Sequence, residues 1–97
     1  MLLQMRIYTI NRGALETFAA EWRDKIRPLR ESLGFKIPAA WINKETNQFI
    51  WLMQLDSEVD WELLDRAYFS SDGRKAMTPD PARNIARMEH YFIDPAD

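Results

Sequence analysis

The chain has 97 residues, 46% of them hydrophobic and 29% charged, with a formal net charge of −2 and no cysteine. This length and composition fit one soluble domain, residues 1–97. The lack of cysteine excludes disulfides and thiolate metal sites, and no apolar run reaches the length of about 20 residues that a membrane helix needs. The negative charge argues against nucleic-acid binding. Because the N-terminus also lacks signal-peptide features, we expect a cytoplasmic protein without membrane or nucleic-acid partners.

Residues 2–10 alternate in a way that predicts a first strand. One parity carries Leu3, Met5 and Ile7, and we assign it to the core. The other parity is amphipathic, since its longer side chains can bury a stem and keep a polar tip; it comprises Gln4, Arg6, Tyr8 and Ile10. We assign this second face to the interior of a barrel. Gly13 then allows a turn with positive φ.

Residues 14–33 carry apolar side chains at three-four spacing, which predicts one helix with a single buried stripe. The stripe, which includes Trp22, is expected to pack as core against a sheet. Pro28 lies inside the pattern and lacks a backbone donor, so we expect either a kink near residues 24–27 or a short break after which the helix resumes. Gly34 is the predicted end of the helix.

Residues 35–43 and 48–55 predict a β-hairpin, joined by a short polar turn. Residues 49–53 are apolar at successive positions, which indicates that both faces of this sheet need cover. The register is left open, because a one-residue difference in the turn decides whether Trp41 and Trp51 share a face. At least one of these tryptophans is expected to line the barrel interior, and core packing is the alternative for both.

Residues 58–69 predict a second helix, with Ser57 and Asp60 spaced as in a capping box. Tyr68 is expected on the edge of this helix, and its inward side chains are expected to be Val59, Leu63, Leu64 and Ala67. Ser71 is placed to cap one further turn over residues 72–77.

Residues 78–81 form a rigid proline loop, and residues 85–93 alternate as a last strand. The order βαββαβ predicts an α+β, ferredoxin-like fold: a four-stranded antiparallel sheet, the first and third strands central and the helices on one face. Strands of about five residues present on the order of 300 Å² per face, and two helices cover only one face. We therefore expect a homodimer that pairs through the other face.

The chain resembles the NIPSNAP group of the dimeric α/β-barrel superfamily over nearly its whole length. The likeness lies in RIYTINRG, in FAAEW and IRPLRESLGF, in AAWINKETNQFIWL, and most specifically in RAYFSSDGRKAMTPDPARNIARMEHYFIDP. The resemblance implies subunits paired by their sheets into an eight-stranded barrel. It also implies kinship with cofactor-independent monooxygenases, isomerases and haem-handling enzymes, although NIPSNAP-like proteins mostly lack an assigned reaction.

Arg6 and Glu89 are expected on neighbouring strands and on the same face, together with Tyr8 and Tyr91. Such a pair is either a cross-strand ion pair or the polar anchor of a small-ligand pocket.

Tyr68 and Arg74 lie in the most motif-like segment. Arg74 is expected either to clamp a carboxylate or to tie the loop at Asp80 to the helix. His90 is the only histidine and is interpreted as structural, since no second ligand accompanies it at a metal-site spacing. No metal or other cofactor is expected.

Two hypotheses follow, and they leave open whether the protein is an enzyme. In the first, the barrel binds a small apolar or aromatic organic molecule, with cofactor-independent oxygenation or isomerisation as the chemistry. The predicted ligand-binding residues are Arg6, Tyr8, Trp41, Trp51, Tyr68, Arg74, Glu89 and Tyr91. In the second, the barrel is filled and the protein is a structural or interaction dimer. RNA-recognition domains share the topology, but the third strand here lacks their glycine and basic residues.

Overall fold

The structure is a computed structural model that describes residues 1–56 and 59–97. Its strands are β1 Leu2–Ile10, β2 Ala40–Asn43, β3 Gln48–Leu55 and β4 Ile85–Phe92. Its helices are α1 Leu15–Glu21, α2 Arg27–Ser32, α3 Trp61–Ser70 and α4 Asp72–Lys75, with a π-helical turn at Trp22–Ile26 and a 3-10 turn at Pro81–Asn84. Within the described ranges, none of these helices combines the length and apolar character that a bilayer crossing requires.

The four strands form one sheet in the order β2-β3-β1-β4, and all neighbouring pairs are antiparallel. β1 and β3 are therefore central, and the helices pack on one face of the sheet. The α+β, ferredoxin-like fold expected from the sequence is confirmed. We call the opposite side of the sheet, which no helix covers, the open face.

The first helix is irregular just before Pro28. Pro28 has no N–H to donate to the carbonyl of Asp24, and the chain widens into the π-helical turn Trp22–Ile26 before the α-helix resumes at Arg27. The expected interruption of the regular helix, with the helix resuming after it, lies at this turn. The helix ends as expected at Gly34, whose φ of +108° reverses the chain and lets the Phe35 N–H donate to the Arg30 carbonyl at 3.1 Å.

The two faces of β1 are the reverse of the expectation. The amphipathic parity lies under the helices and is almost fully buried; Gln4, Arg6, Tyr8 and Ile10 are each 3 to 4% exposed. Leu3, Met5 and Ile7 lie on the open face and are only half-buried. The reason is the partner strand: β3 turns its largest side chain, Trp51, toward the helices, and Arg6 lies directly opposite it.

The helix-side core is built from aromatic rings. Phe18 packs edge-on against Tyr8 at 5.8 Å and against Phe49 at 5.3 Å between ring centroids. Trp22 lies 4.8 Å from Phe49 and 5.5 Å from Trp51, as the buried stripe predicts. This cluster fixes the helices over β1 and β3, and edge-on aromatic contacts add to the burial of apolar area.

The hairpin register is decided by a four-residue turn. Trp41 pairs with Ile50, and Ala40 pairs with Trp51, so the two tryptophans lie on opposite faces. β2 is shorter than expected, because Pro38 breaks the strand and leaves only the isolated bridge between Lys36 and Gln54 upstream.

The second helix begins later than expected. α3 starts at Trp61, and the Asp60 side chain caps it by accepting the Leu63 N–H at 3.1 Å. Ser57, the other half of the predicted capping box, and residue 58 lie outside the described residues. Two of the side chains expected to point inward are exposed. Leu63 is 60% exposed, and Val59, which precedes the helix, is 39% exposed. The inward prediction for these two was wrong, since Trp61 and Tyr68 are the buried side chains of this helix.

Removing the cap on α3 should have a modest effect. Asp60→Ala leaves the Leu63 N–H without its side-chain acceptor, and we expect the free energy of unfolding to fall by about 1 kcal/mol. Chemical denaturation measures this value. Asp60→Asn is the control, because an asparagine caps nearly as well, and an equal loss in both variants would contradict the capping role.

Candidate functional site

Two arginines and one aspartate form a charged cluster between the helices and the sheet. The side chains of Arg6 and Arg30 are 5% and 2% exposed, and that of Asp65 is 27% exposed. Asp65 Oδ1 accepts a hydrogen bond from Arg30 NH1 at 2.6 Å and lies 3.6 Å from Arg6 NH2. One carboxylate therefore faces two guanidiniums.

Arg30 is enclosed by aromatic rings as well as paired with Asp65. Its guanidinium carbon lies 3.6 Å from the ring centroid of Tyr68, 5.0 Å from that of Phe35 and 5.3 Å from that of Phe69. Burial lowers the pKa of Arg30, and the hydrogen bond to Asp65 opposes that change. Burial also raises the pKa of Tyr68, while the positive charge of Arg30 opposes the rise. Arg30 therefore has both a counter-ion and ring faces to offset its desolvation.

Arg6 has weaker partners. Its Nε donates to Gln4 Oε1 at 2.9 Å and its NH1 donates to the Tyr8 hydroxyl at 3.2 Å. Its guanidinium carbon also lies 5.8 Å from the ring centroid of Trp51. Both hydrogen-bond acceptors are neutral, so the only carboxylate near Arg6 in the described part of the chain is the shared one of Asp65.

A cleft opens beside this cluster, between α3 and the helix side of β1 and β4. We call it the α3 cleft; its volume is about 380 Å³, and the lining residues of interest are Gln4, Arg6, Trp61, Asp65, His90 and Phe92. Trp61 and Phe92 form an apolar wall, with their ring centroids 5.1 Å apart and edge-on. The volume lies within the range of small-molecule sites.

A second, smaller cavity lies deeper under the helices. It has a volume of about 50 Å³ and is lined in part by Tyr8, Arg30, Trp51, Tyr68 and Arg74. This space is large enough for water but not for an organic ligand. The α3 cleft is therefore the better candidate for a binding site.

Five of the eight predicted site residues lie close together, on the helix side of the sheet rather than on the open face. Those that lie there, around Arg30, are Arg6, Tyr8, Trp51, Tyr68 and Arg74. Trp41, Glu89 and Tyr91 lie on the open face instead. The expected pairing of Arg6 with Glu89 was wrong, because β1 pairs Arg6 with His90 and pairs Glu89 with Ile7. A ligand-binding role for the eight residues stays a prediction.

On the open face, Tyr91 and Glu89 contact each other. The Tyr91 hydroxyl donates to Glu89 Oε2 at 2.8 Å, and this hydrogen bond raises the pKa of Tyr91. Trp41 lies on the same face but on the opposite edge strand, β2, and is 51% exposed.

Arg74 ties the proline loop to the helices. Its NH2 donates to Asp80 Oδ1 at 2.8 Å, and the same carboxylate oxygen accepts the Ala82 N–H at 2.9 Å. The Ala82 N–H and then Arg74 lower the pKa of Asp80. Of the two roles expected for Arg74, the geometry is that of the loop tie.

Several residues of the cluster and cleft were not singled out from the sequence. Arg30 is not an apolar residue and so was not counted in the predicted stripe, although it lies four residues after the buried Ile26 and on the same side of the helix. Asp65 lies four residues after Trp61 and three before Tyr68, which places it on the buried side of α3. His90 was interpreted as structural, and it lines the cleft. In the described residues, no group of three His, Asp or Glu side chains could hold a metal ion.

Comparisons with known proteins agree on the fold. No protein-family model and no curated protein matches the sequence. An uncharacterised NIPSNAP domain protein from Burkholderia xenovorans superimposes with a TM-score of 0.82 at 20% identity, covering 99% of this chain and 95% of the other. A NIPSNAP family protein from Agrobacterium tumefaciens gives 0.86 at 18% identity, covering 99% and 93%. The chain has the NIPSNAP fold.

The resemblance drawn from the sequence is thus confirmed at the level of the fold. The NIPSNAP fold also extends to more distant structures. An antibiotic biosynthesis monooxygenase superimposes with a TM-score of 0.66 at 10% identity, covering all of both chains. A NIPSNAP family protein of Agrobacterium tumefaciens is itself described as having unknown function.

Proposed function

We propose that this NIPSNAP-fold protein binds a small aromatic organic molecule in the α3 cleft and works as a homodimer paired through the open face. The observation that carries the binding proposal is the make-up of the cleft. Its wall consists of Trp61 and Phe92, and polar atoms of Gln4, Arg6 and His90 converge on the same space. An apolar wall with a few placed polar groups is the usual composition of a small-ligand site.

This proposal places the ligand between the sheet and α3, rather than between the sheets of two subunits. Arg6 and Tyr8, the side chains expected to orient a ligand, are on the helix side. The side chains at the centre of the open face are apolar, and they suit a contact with another protein chain better than a ligand pocket. These side chains are Met5, Ile7, Ile50 and Leu52.

The size of the open face supports pairing with a second copy. The central strands are 8 and 9 residues long, rather than the five expected. With outer strands of 8 and 4 residues, the sheet presents about 450 Å² before side-chain relief is added. This lies within the roughly 300 to 600 Å² of the largest apolar patch on a typical monomer, and such a patch is often functional. Side-chain relief brings the area closer to the roughly 800 Å² per partner of a standard interface.

The shared fold of an antibiotic biosynthesis monooxygenase supports oxygenation as the candidate reaction. The imidazole of His90, which lines the cleft, is the side chain we assign to proton transfer in such a reaction, because Asp65 is already the counter-ion of Arg30 and Arg6. The alternative function is a non-catalytic dimer with no ligand, and binding at the cleft discriminates between the two.

Binding can be tested by titrating isotope-labelled protein with one-ring and two-ring aromatic compounds and following amide shifts by NMR. We expect shifts at cleft residues, and Trp61→Leu should weaken binding at least tenfold because it removes the ring wall. Leu63→Ala is the matched control, since Leu63 lies on the outer side of the same helix. Absence of any cleft shift at millimolar concentrations would favour the ligand-free dimer.

A further inference from the structure

Of the two buried arginines in the described residues, Arg6 has the longer contact with a carboxylate. Asp65 Oδ1 forms its short contact with Arg30, at 2.6 Å, and lies 3.6 Å from Arg6. The longer distance exceeds that of a hydrogen bond. A buried charge is costly unless it is paired and hydrogen-bonded.

The other contacts of Arg6 do not supply negative charge. Gln4 and Tyr8 accept from its Nε and NH1, and both are neutral. Its NH2 nitrogen has no acceptor within hydrogen-bonding distance among the residues that the structure describes. Arg6 also lines the α3 cleft, so a ligand in the cleft can reach it.

The charged side chains at the rim of the cleft do not offset the positive charge of Arg6. Glu62 and Arg66 line the cleft with opposite charges, and their side chains are exposed to solvent. Asp65 offsets Arg30, which leaves Arg6 as the excess positive charge of the site. The ring of Trp51, at 5.8 Å, attracts this charge but does not neutralise it.

We infer that the molecule bound in the α3 cleft carries a carboxylate, which accepts from Arg6 at the floor of the cleft while its apolar part contacts Trp61 and Phe92. This inference rests on the proposed function and specifies the class of ligand. A carboxylate bound to a guanidinium makes a charge-assisted hydrogen bond, which is about twice as strong as a neutral one. A contact between the ligand carboxylate and the exposed Arg66 would add little binding free energy, because solvent screens exposed ion pairs.

Benzoate and benzamide form a matched pair of probes, since they share a ring and differ in charge. We expect the wild-type protein at pH 7 and low salt to bind benzoate at least tenfold more tightly than benzamide in NMR titrations. Acetate has the charge without the ring and should bind more weakly than benzoate. The benzoate preference should also shrink with added salt. None of these comparisons requires a variant to fold.

Arg6→Met tests the assignment to this side chain. We expect it to bring benzoate within about twofold of benzamide, because the charge that distinguishes them is gone. Arg23→Met is the control: it removes the same charge from an exposed position on the π-helical turn and should keep the preference.

The outcomes separate this inference from the proposed function. Equal binding of benzoate and benzamide would overturn the anion inference and leave the cleft as a site for neutral ligands. A benzoate preference that persists in Arg6→Met would overturn the role of Arg6. Failure of both benzoate and benzamide to bind would overturn the proposed binding function, and this inference with it.

Discussion

Asp65→Ala is expected to lower the free energy of unfolding by about 3 kcal/mol, because it leaves two buried guanidiniums without a counter-ion. Arg30 loses its 2.6 Å hydrogen bond, and Arg6 loses its only nearby carboxylate among the described residues. Alanine favours helix over aspartate, so the change in helix propensity acts in the opposite direction. Urea denaturation with extrapolation to water measures the loss.

Asp24→Ala is the matched control for this variant. It makes the same substitution at an exposed aspartate that pairs with Arg23 at 3.2 Å, both side chains being 65% exposed. Exposed pairs contribute little, so we expect a change below about 1 kcal/mol. Equal losses in Asp65→Ala and Asp24→Ala would contradict the view that the buried cluster depends on its single carboxylate.

Ile50→Lys is expected to convert the proposed dimer to a monomer. Ile50 lies at the centre of the open face, directly opposite Ile7 on β1 and Trp41 on β2. In a sheet-to-sheet dimer, a lysine there would be buried near its own copy, and like charges without partners oppose association. Sedimentation at micromolar concentration should change from twice the chain mass of 11.5 kDa to the mass of one chain.

Leu63→Lys is the control for this experiment, since it places the same charge on the exposed side of α3 and should leave the dimer intact. Circular dichroism should show that both variants keep the wild-type secondary structure. A wild-type protein that sediments as a stable monomer at micromolar concentration would contradict pairing through the open face, while leaving the α3 cleft untouched.

The candidate site could be predicted only in part. Arg6, Tyr8, Tyr68 and Arg74 were expected to act near a ligand, and the structure brings them around Arg30. Asp65 was missed, because Val59 and Leu63 were taken as inward side chains in place of Trp61. Trp61 is buried, and Asp65 and Tyr68 follow it at positions that share its helix face.

Local sequence was enough to predict the order of the elements, the interruption of the first helix near Pro28 and its end at Gly34. These features depend on a missing backbone donor and on a positive φ, and both act within a few residues of the chain. The alternation of the strands is equally local, because successive side chains point to opposite faces.

Which face of β1 is covered follows from packing between distant segments. Either set of alternating side chains on β1 was suitable for burial, since one set is apolar and the other has long stems. The covered face is set by the packing of Phe18 on Tyr8 and of Trp22 on Trp51, whose partner across the strands is Arg6. Distant segments therefore set the burial of Arg6, and with it the charge of the cleft, through contacts that local periodicity does not encode.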